Sequence, residues 1–194
     1  MDYPLQLSFK LLALTPQVYV RDAAGQLRMY VKQKMFKLKE QITVFADEGQ
    51  TIPLYHIKAD RVIDFSARYN FSAPDGRPLG SVQRRGMRSI FRANYEILRG
   101  DQVILTLREA NPLAKVGDAL FGQIPVLGMF AGYVFHPKYT VQRPDGVEVL
   151  HAAKQAALFE GRYAVEKRTA LSPEDEGLAI LSILMMLLLE RRRG

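Results

Sequence analysis

The sequence contains no cysteine and no tryptophan, and three of its 194 residues are histidines. The lack of cysteine excludes disulfide bonds, zinc fingers, iron–sulfur clusters and thiol nucleophiles, and it fits a reducing compartment. His56, His136 and His151 are far apart, and no two of them have the spacing of metal ligands. The sequence therefore predicts no metal site, and we expect no other cofactor.

The short motifs of common enzyme classes are also missing. Residues 117–122 are rich in glycine but lack the Lys-Ser/Thr ending of a phosphate-binding loop, and no Gly-x-Ser-x-Gly elbow occurs. The acidic residues of the chain are typical of turns and helix starts rather than of a catalytic pair. We predict a protein that is not an enzyme and has no catalytic residues.

The longest apolar run covers residues 178–189 and is interrupted by Ser182 alone. As a helix it would reach about 18 Å, whereas a bilayer core is about 30 Å thick. Glu174, Asp175 and Glu176 precede it, and the first residues have no basic segment of a signal peptide. We therefore expect no transmembrane span and a cytoplasmic protein, at most peripheral to a membrane.

Short β-type runs alternate with turns that contain glycine. Asp or Pro-Asp precedes several turn glycines, a combination that presets the backbone angles of a tight turn. The runs alternate as half-buried strands do: Ile42 and Val44 share one face, Thr43 and Phe45 the other. About twelve such runs follow one another without a linker, which predicts one domain, residues 1–194, that is mainly β.

Two segments depart from the β pattern. Asn111-Pro112 favours a short helix over residues 113–121, followed by an apolar stretch over residues 124–135. Ser172-Pro173 with acids behind it favours a helix over about residues 173–190. Because this helix is apolar on every face, it must be buried on every face. A twelve-stranded closed barrel leaves a lumen that such a helix would fill; the alternative is a helix packed outside a sandwich or used in oligomerisation.

This layout resembles the LURP-one-related family, especially its bacterial members. The stretches that carry the resemblance are YVKQKMF at residues 30–36, QRRGMRSIFR at residues 83–92, YVFHP at residues 133–137 and the Leu-rich terminal helix. The family belongs to the tubby C-terminal-like superfamily, which is distantly related to phospholipid scramblases. The resemblance implies a twelve-stranded barrel around the C-terminal helix. Tubby domains of eukaryotes bind phosphoinositides through basic residues on the barrel, whereas LURP-one proteins have no settled biochemical activity.

Positive charge is concentrated in two blocks. Residues 21–39 and residues 77–99 each carry a net charge of +5, within a chain whose total is +7. If the two blocks lie close together on the barrel, they form one cationic face that could hold an anionic lipid headgroup. The candidate residues for this anion site are Arg28, Lys32, Lys34, Arg84, Arg85, Arg88 and Arg92.

Alternatives remain open for both features. The basic residues could be a solvated strand face, or they could bind nucleic acid, for which Phe91 and Tyr95 would be stacking candidates. We consider nucleic acid the less favoured partner. The apolar stretch could cover a barrel mouth, or it could form an apolar cleft through Leu127, Met129 and Phe130.

The leading prediction for function is a non-enzymatic binding or scaffold module that recognises an anionic membrane surface or lipid headgroup. The alternative is a lipid-handling protein, an acyl carrier or scramblase-like protein, that uses the apolar cleft near residues 124–135. The sequence does not identify a protein partner.

Overall fold

The computed structural model describes residues 1–10, 17–32, 41–61, 67–85, 94–110, 137–157 and 160–191. Within these ranges the chain forms twelve strands and one helix. The elements are β1 (Leu5–Lys10), β2 (Gln17–Arg21), β3 (Leu27–Lys32), β4 (Ile42–Phe45), β5 (Pro53–Ala59), β6 (Arg68–Ser72), β7 (Pro78–Arg84), β8 (Asn94–Arg99), β9 (Gln102–Glu109), β10 (Lys138–Gln142), β11 (Glu148–Gln155), β12 (Glu160–Lys167) and α1 (Pro173–Arg191). The helix predicted over residues 113–121 lies outside the described residues.

The strands form a closed antiparallel barrel. Each strand pairs with the next one along the chain, and β1 pairs with β12 to close the ring, with Leu5 opposite Val165 and Leu7 opposite Tyr163. This confirms the predicted mainly-β barrel of about twelve strands.

Because neighbouring strands are antiparallel, the connections alternate between two ends of the barrel. We call one the turn end: it comprises residues 1–4, 22–26, 46–52, 73–77, 100–101, 143–147 and 168–176, all of them described. The other is the loop end, where the described strands are joined by residues 11–16, 33–41, 60–67, 85–93, 110–137 and 156–159. The helix enters the barrel from the turn end.

The turns form as the Asp-Gly pattern predicts, with one exception. Asp75 and Asp145 accept hydrogen bonds from the amides of Arg77 and Val147, and the glycines that follow them have φ values of 87° and 88°. In the 46–52 turn the left-handed residue is Gln50 rather than Gly49. A Cβ at Gly49 would lie 2.9 Å from Oδ2 of Asp47, so a side chain there would displace a carboxylate oxygen that accepts hydrogen bonds from Thr51.

The helix occupies the centre of the barrel. Ser172 caps it, since its Oγ accepts a hydrogen bond from the amide of Asp175 at 3.1 Å. Every residue from 178 to 188 is buried, and so are the inward-facing side chains of the strands around them. Ser182, the polar residue within this run, donates a hydrogen bond from Oγ to the carbonyl of Leu178 at 2.7 Å. The structure thus confirms the predicted central helix.

Candidate anion-binding surface

The predicted basic residues of β3 lie on the outer wall. Met29 and Val31 are fully buried in the core, and Arg28 and Lys32 project to the opposite side of the strand. Lys32 is exposed, whereas Arg28 is committed to a neighbour: its Nε donates to Oδ2 of Asp22 at 2.6 Å. Of these two candidates, Lys32 is therefore the more available to an anion.

The surroundings of Asp22 fix its carboxylate next to Arg28. Its side chain has no exposed surface, and Oδ1 accepts hydrogen bonds from the amides of Ala24 and Gln26 at 3.0 and 2.9 Å. Burial alone would raise the pKa of Asp22. The hydrogen bonds from Arg28 and the two amides outweigh burial and hold that pKa below its usual range. The carboxylate stays charged and neutralises Arg28.

Arg84 and Arg85 point to opposite sides of the barrel wall. Arg84 pairs in register with Tyr95, which is 2% exposed, and its guanidinium lies 5.8 Å from the centre of that ring. Arg85 projects outward, with its Nε 3.4 Å from Oε1 of Glu96. Tyr95, a stacking candidate for nucleic acid, is thus a core residue.

The two basic blocks do not lie on neighbouring strands. β4, β5 and β6 separate β3 from β7 in the sheet. At about 4.8 Å between adjacent strands, this separation is roughly 19 Å along the wall. The described parts of the blocks therefore do not form one contiguous patch by themselves.

The remaining predicted site residues lie outside the described part of the chain. These are Lys34, Arg88 and Arg92 of the anion site, together with Leu127, Met129 and Phe130 of the apolar cleft; Phe91, the other stacking candidate, lies outside it too. The described strands on either side of each of these segments end or begin at the loop end.

The barrel is electrically polarised along its axis. The turn end carries ten carboxylates against three arginines, a net charge of −7, and because the whole chain carries +7, all other residues together carry +14. Five of the ten carboxylates pair with a strand cation. The pairs are Arg21–Glu48, Arg28–Asp22, Arg68–Asp101, Arg99–Asp175 and Lys167–Glu176.

The charge difference between the turn end and the rest of the chain remains when paired strand cations are counted with the turn end. When those five strand cations are assigned to the turn end, it still carries −2 and the remainder of the chain carries +9. An anionic surface would therefore repel the turn end and attract the rest of the barrel.

Among the described residues, five exposed cations lie within one residue of a strand's loop end. We call them the loop-end cations: Lys32, Lys58, Arg85, Arg108 and Lys138. They come from β3, β5, β9 and β10 and from the residue after β7, and all except Arg85 are next to a buried core residue. Successive members on alternate strands are about 10 Å apart along the wall.

Sequence reasoning missed Lys58, Arg108 and Lys138 because each is isolated in sequence. The signal that could have found them is strand parity, since each follows or precedes a buried residue: Ile57, Leu107 and Tyr139. Their common position becomes visible when the strand directions are known.

No metal or membrane-spanning feature appears in the described residues. They contain no group of three or more His, Asp or Glu side chains placed to hold a metal ion. Across the same ranges, no helix has both the length and the apolar character needed to cross a membrane.

Comparison with known proteins supports the resemblance to the LURP-one-related family. The model of that family matches residues 27–121, just under half of the chain. A solved X-ray structure of an Arabidopsis thaliana protein aligns with 13% sequence identity and a TM-score of 0.49, covering 97% of this chain and 91% of that chain. Among curated protein sequences, none matches. Residues 27–121 therefore match the LURP-one-related family, the family that the sequence resembles.

Proposed function

We propose that this protein is a binding module that docks on anionic phospholipid surfaces with its loop end. The observation that carries the proposal is the charge polarity of the barrel, negative at the turn end and strongly positive elsewhere. Family and fold support a binding or scaffold role in general. The loop-end cations supply the described part of the contact surface.

Energetics favour a reversible association. A Lys or Arg near an acidic membrane contributes about 1 kcal/mol, so five such residues contribute roughly 5 kcal/mol before the costs of binding. Exposed charges are screened by salt, with a Debye length of about 8 Å at physiological ionic strength. We therefore expect binding that requires anionic lipid and weakens as salt rises.

Cosedimentation with vesicles tests the proposal. The protein should pellet with vesicles of phosphatidylcholine and phosphatidylserine, should remain in solution with phosphatidylcholine alone, and should dissociate as NaCl increases. Neutralising Lys32 and Lys58 in the K32Q/K58Q variant should weaken partitioning about thirtyfold, because two contacts of about 1 kcal/mol are lost.

The matched control removes two positive charges from the other end of the barrel. Arg21 precedes the first described turn and Arg77 lies in the 73–77 turn, so R21Q/R77Q should change partitioning less than twofold. Equal loss in both double variants would show that net charge rather than a docking end governs association. Equal binding to neutral and anionic vesicles would overturn the proposal.

The same experiment separates the lipid-handling alternative. A carrier should co-purify with lipid that high salt does not remove, which mass spectrometry of the purified protein would detect. The buried residues 178–188 fill the barrel centre, so an acyl chain would need a site elsewhere. Absence of binding to any vesicle, without co-purified lipid, would leave a role in protein interaction.

A further inference from the structure

A groove of about 370 Å³ lies on the outer wall of the barrel, across β8, β9 and β10. This volume is at the low end of the range for small-molecule sites. The residues that line it are Arg85, Glu96, Val103, Thr106, Arg108, Gln142, Arg143, Pro144 and Gly146. It extends from loop-end residues Arg85 and Arg108 to the turn between β10 and β11.

Strand register explains why polar side chains meet there. Tyr95, Leu107 and Val141 face the core, so their neighbours in sequence face outward. Thr106 of β9 is directly opposite both Glu96 of β8 and Gln142 of β10, and this row forms the floor of the groove. Three rigid strands therefore fix the backbone positions of the lining residues.

Three arginines dominate the charge of the groove. Arg108 is exposed and makes no hydrogen bond or ion pair with any described residue. Arg143 donates from Nη2 to the carbonyl of Ala170 at 2.7 Å, which positions its guanidinium. Arg85 forms an ion pair with Glu96, with its Nε 3.4 Å from Oε1, and its side chain is 57% exposed.

Glu96 does not cancel this charge. Its Oε2 accepts a hydrogen bond from Nε2 of Gln83 at 3.1 Å, and its Oε1 lies next to Arg85. Three guanidiniums against one carboxylate leave the groove with a net charge of +2.

We propose that the groove between Arg85, Arg108 and Arg143 binds the phosphate of a phosphomonoester, either a free metabolite or a lipid headgroup. A phosphomonoester carries a charge of about −1.5 to −2 at neutral pH, which matches the +2 of the groove. The planar fork of arginine binds phosphate oxygens in pairs, and Thr106 and Gln142 offer polar groups to the remainder of the ligand. Val103 and Pro144 give the turn-end part of the groove an apolar surface.

If the phosphate belongs to a lipid headgroup, this inference rests on the proposed function. If the phosphate belongs to a free metabolite, the inference is independent of that function. Isothermal titration with glycerol 3-phosphate and with inorganic phosphate tests the groove without a membrane. Each of R108Q and R143Q should weaken glycerol 3-phosphate binding tenfold or more, because a charge-assisted contact is lost. R77Q has the same charge change in a turn outside the groove and should bind as the wild type does. Arg108 has no described partner, so R108Q should also keep the wild-type melting temperature.

Vesicles containing phosphatidic acid, a lipid phosphomonoester, test the other source against phosphatidylserine vesicles of equal surface charge. A groove that holds the headgroup should favour phosphatidic acid, and R143Q, which is not a loop-end cation, should abolish that preference. Binding of glycerol 3-phosphate without any vesicle binding would support a free ligand and overturn the membrane proposal alone. The groove proposal alone would be overturned if the protein bound vesicles without preferring phosphatidic acid, if R143Q had no effect and if glycerol 3-phosphate did not bind.

Discussion

Two glycines stand where neighbouring groups leave no room for a side chain. The ring of Phe9 lies directly over Gly161, its partner in the β1–β12 register, in the space that a Cβ would occupy. A Cβ at Gly80 of β7 would lie 2.6 Å from the carbonyl oxygen of Leu98 and about 3 Å from the side chain of Leu178. At Gly80 the wall thus approaches both a neighbouring strand and the central helix.

Replacing Gly80 with alanine should destabilise the protein by about 1–3 kcal/mol or more, since the obstacle includes backbone that cannot rotate away. Gly177→Ala provides the matched control. A Cβ at Gly177 meets the Tyr55 hydroxyl at an ordinary 3.9 Å, and alanine favours the helix, so this variant should gain about 0.5–1 kcal/mol. Urea unfolding followed by far-UV circular dichroism measures both. Equal midpoints for Gly80→Ala and wild type would show that β7 and β8 separate without cost.

At the scale of elements, the central helix supplies a large part of the core. Leu184 has no exposed surface and is surrounded by the barrel, so Leu184→Ala should cost about 2–5 kcal/mol through lost burial and the cavity left behind. In a chain of this size the melting temperature should fall by roughly 4–20 °C. Ile52→Ala, at a side chain that is 55% exposed, should change stability by less than about 0.5 kcal/mol. Similar melting of both variants would contradict a helix packed within the barrel.

Local patterns predicted most elements because they depend on local chemistry. The Ser172 cap, the Asp-Gly turns and the alternation of Ile42 and Val44 each require a few adjacent residues. Local patterns could not predict the pairing of β1 with β12. The partners are some 150 residues apart, and their pairing is a property of the whole sheet. The sequence supported a closed barrel indirectly, through a helix that had to be buried.

At the scale of the whole molecule, the candidate surface was less predictable than the fold. The blocks at residues 21–39 and 77–99 identified Lys32 and Arg85, which are exposed near the loop end. Block charge could not show that Asp22 neutralises Arg28 or that Arg84 turns towards Tyr95. It also could not show that Arg108 and Arg143 share a groove, because that proximity follows from the β9–β10 register.

The titratable groups of the barrel predict a stability plateau with two limits. The pKa values of Asp22, Asp47 and Asp60 are lowered; the main favourable causes are hydrogen bonds from Arg28, the Ile52 amide and Arg61, respectively, which outweigh burial. The pKa values of four tyrosines are raised, mainly by burial: Tyr3, Tyr19, Tyr30 and Tyr55.

Carboxyls with lowered pKa stabilise the fold above about pH 4 and lose this effect as the pH falls further. Tyrosines with raised pKa stabilise it below about pH 10 and lose this effect as the pH rises further.

Urea midpoints measured between pH 2 and pH 11 should therefore decline below about pH 4 and above about pH 10. Asp22→Asn should lower stability at neutral pH and make the acid decline shallower, whereas Asp2→Asn, at an exposed residue of the same end, should leave it unchanged. Tyr55→Phe keeps the ring but removes the ionising hydroxyl, so its alkaline decline should be shallower than that of the wild type. An acid decline with the same slope in Asp22→Asn as in the wild type would show that this buried carboxylate keeps its ordinary pKa. The Asp22–Arg28 pair would then have to be loosely held in solution, and Arg28 would again be available to an anion.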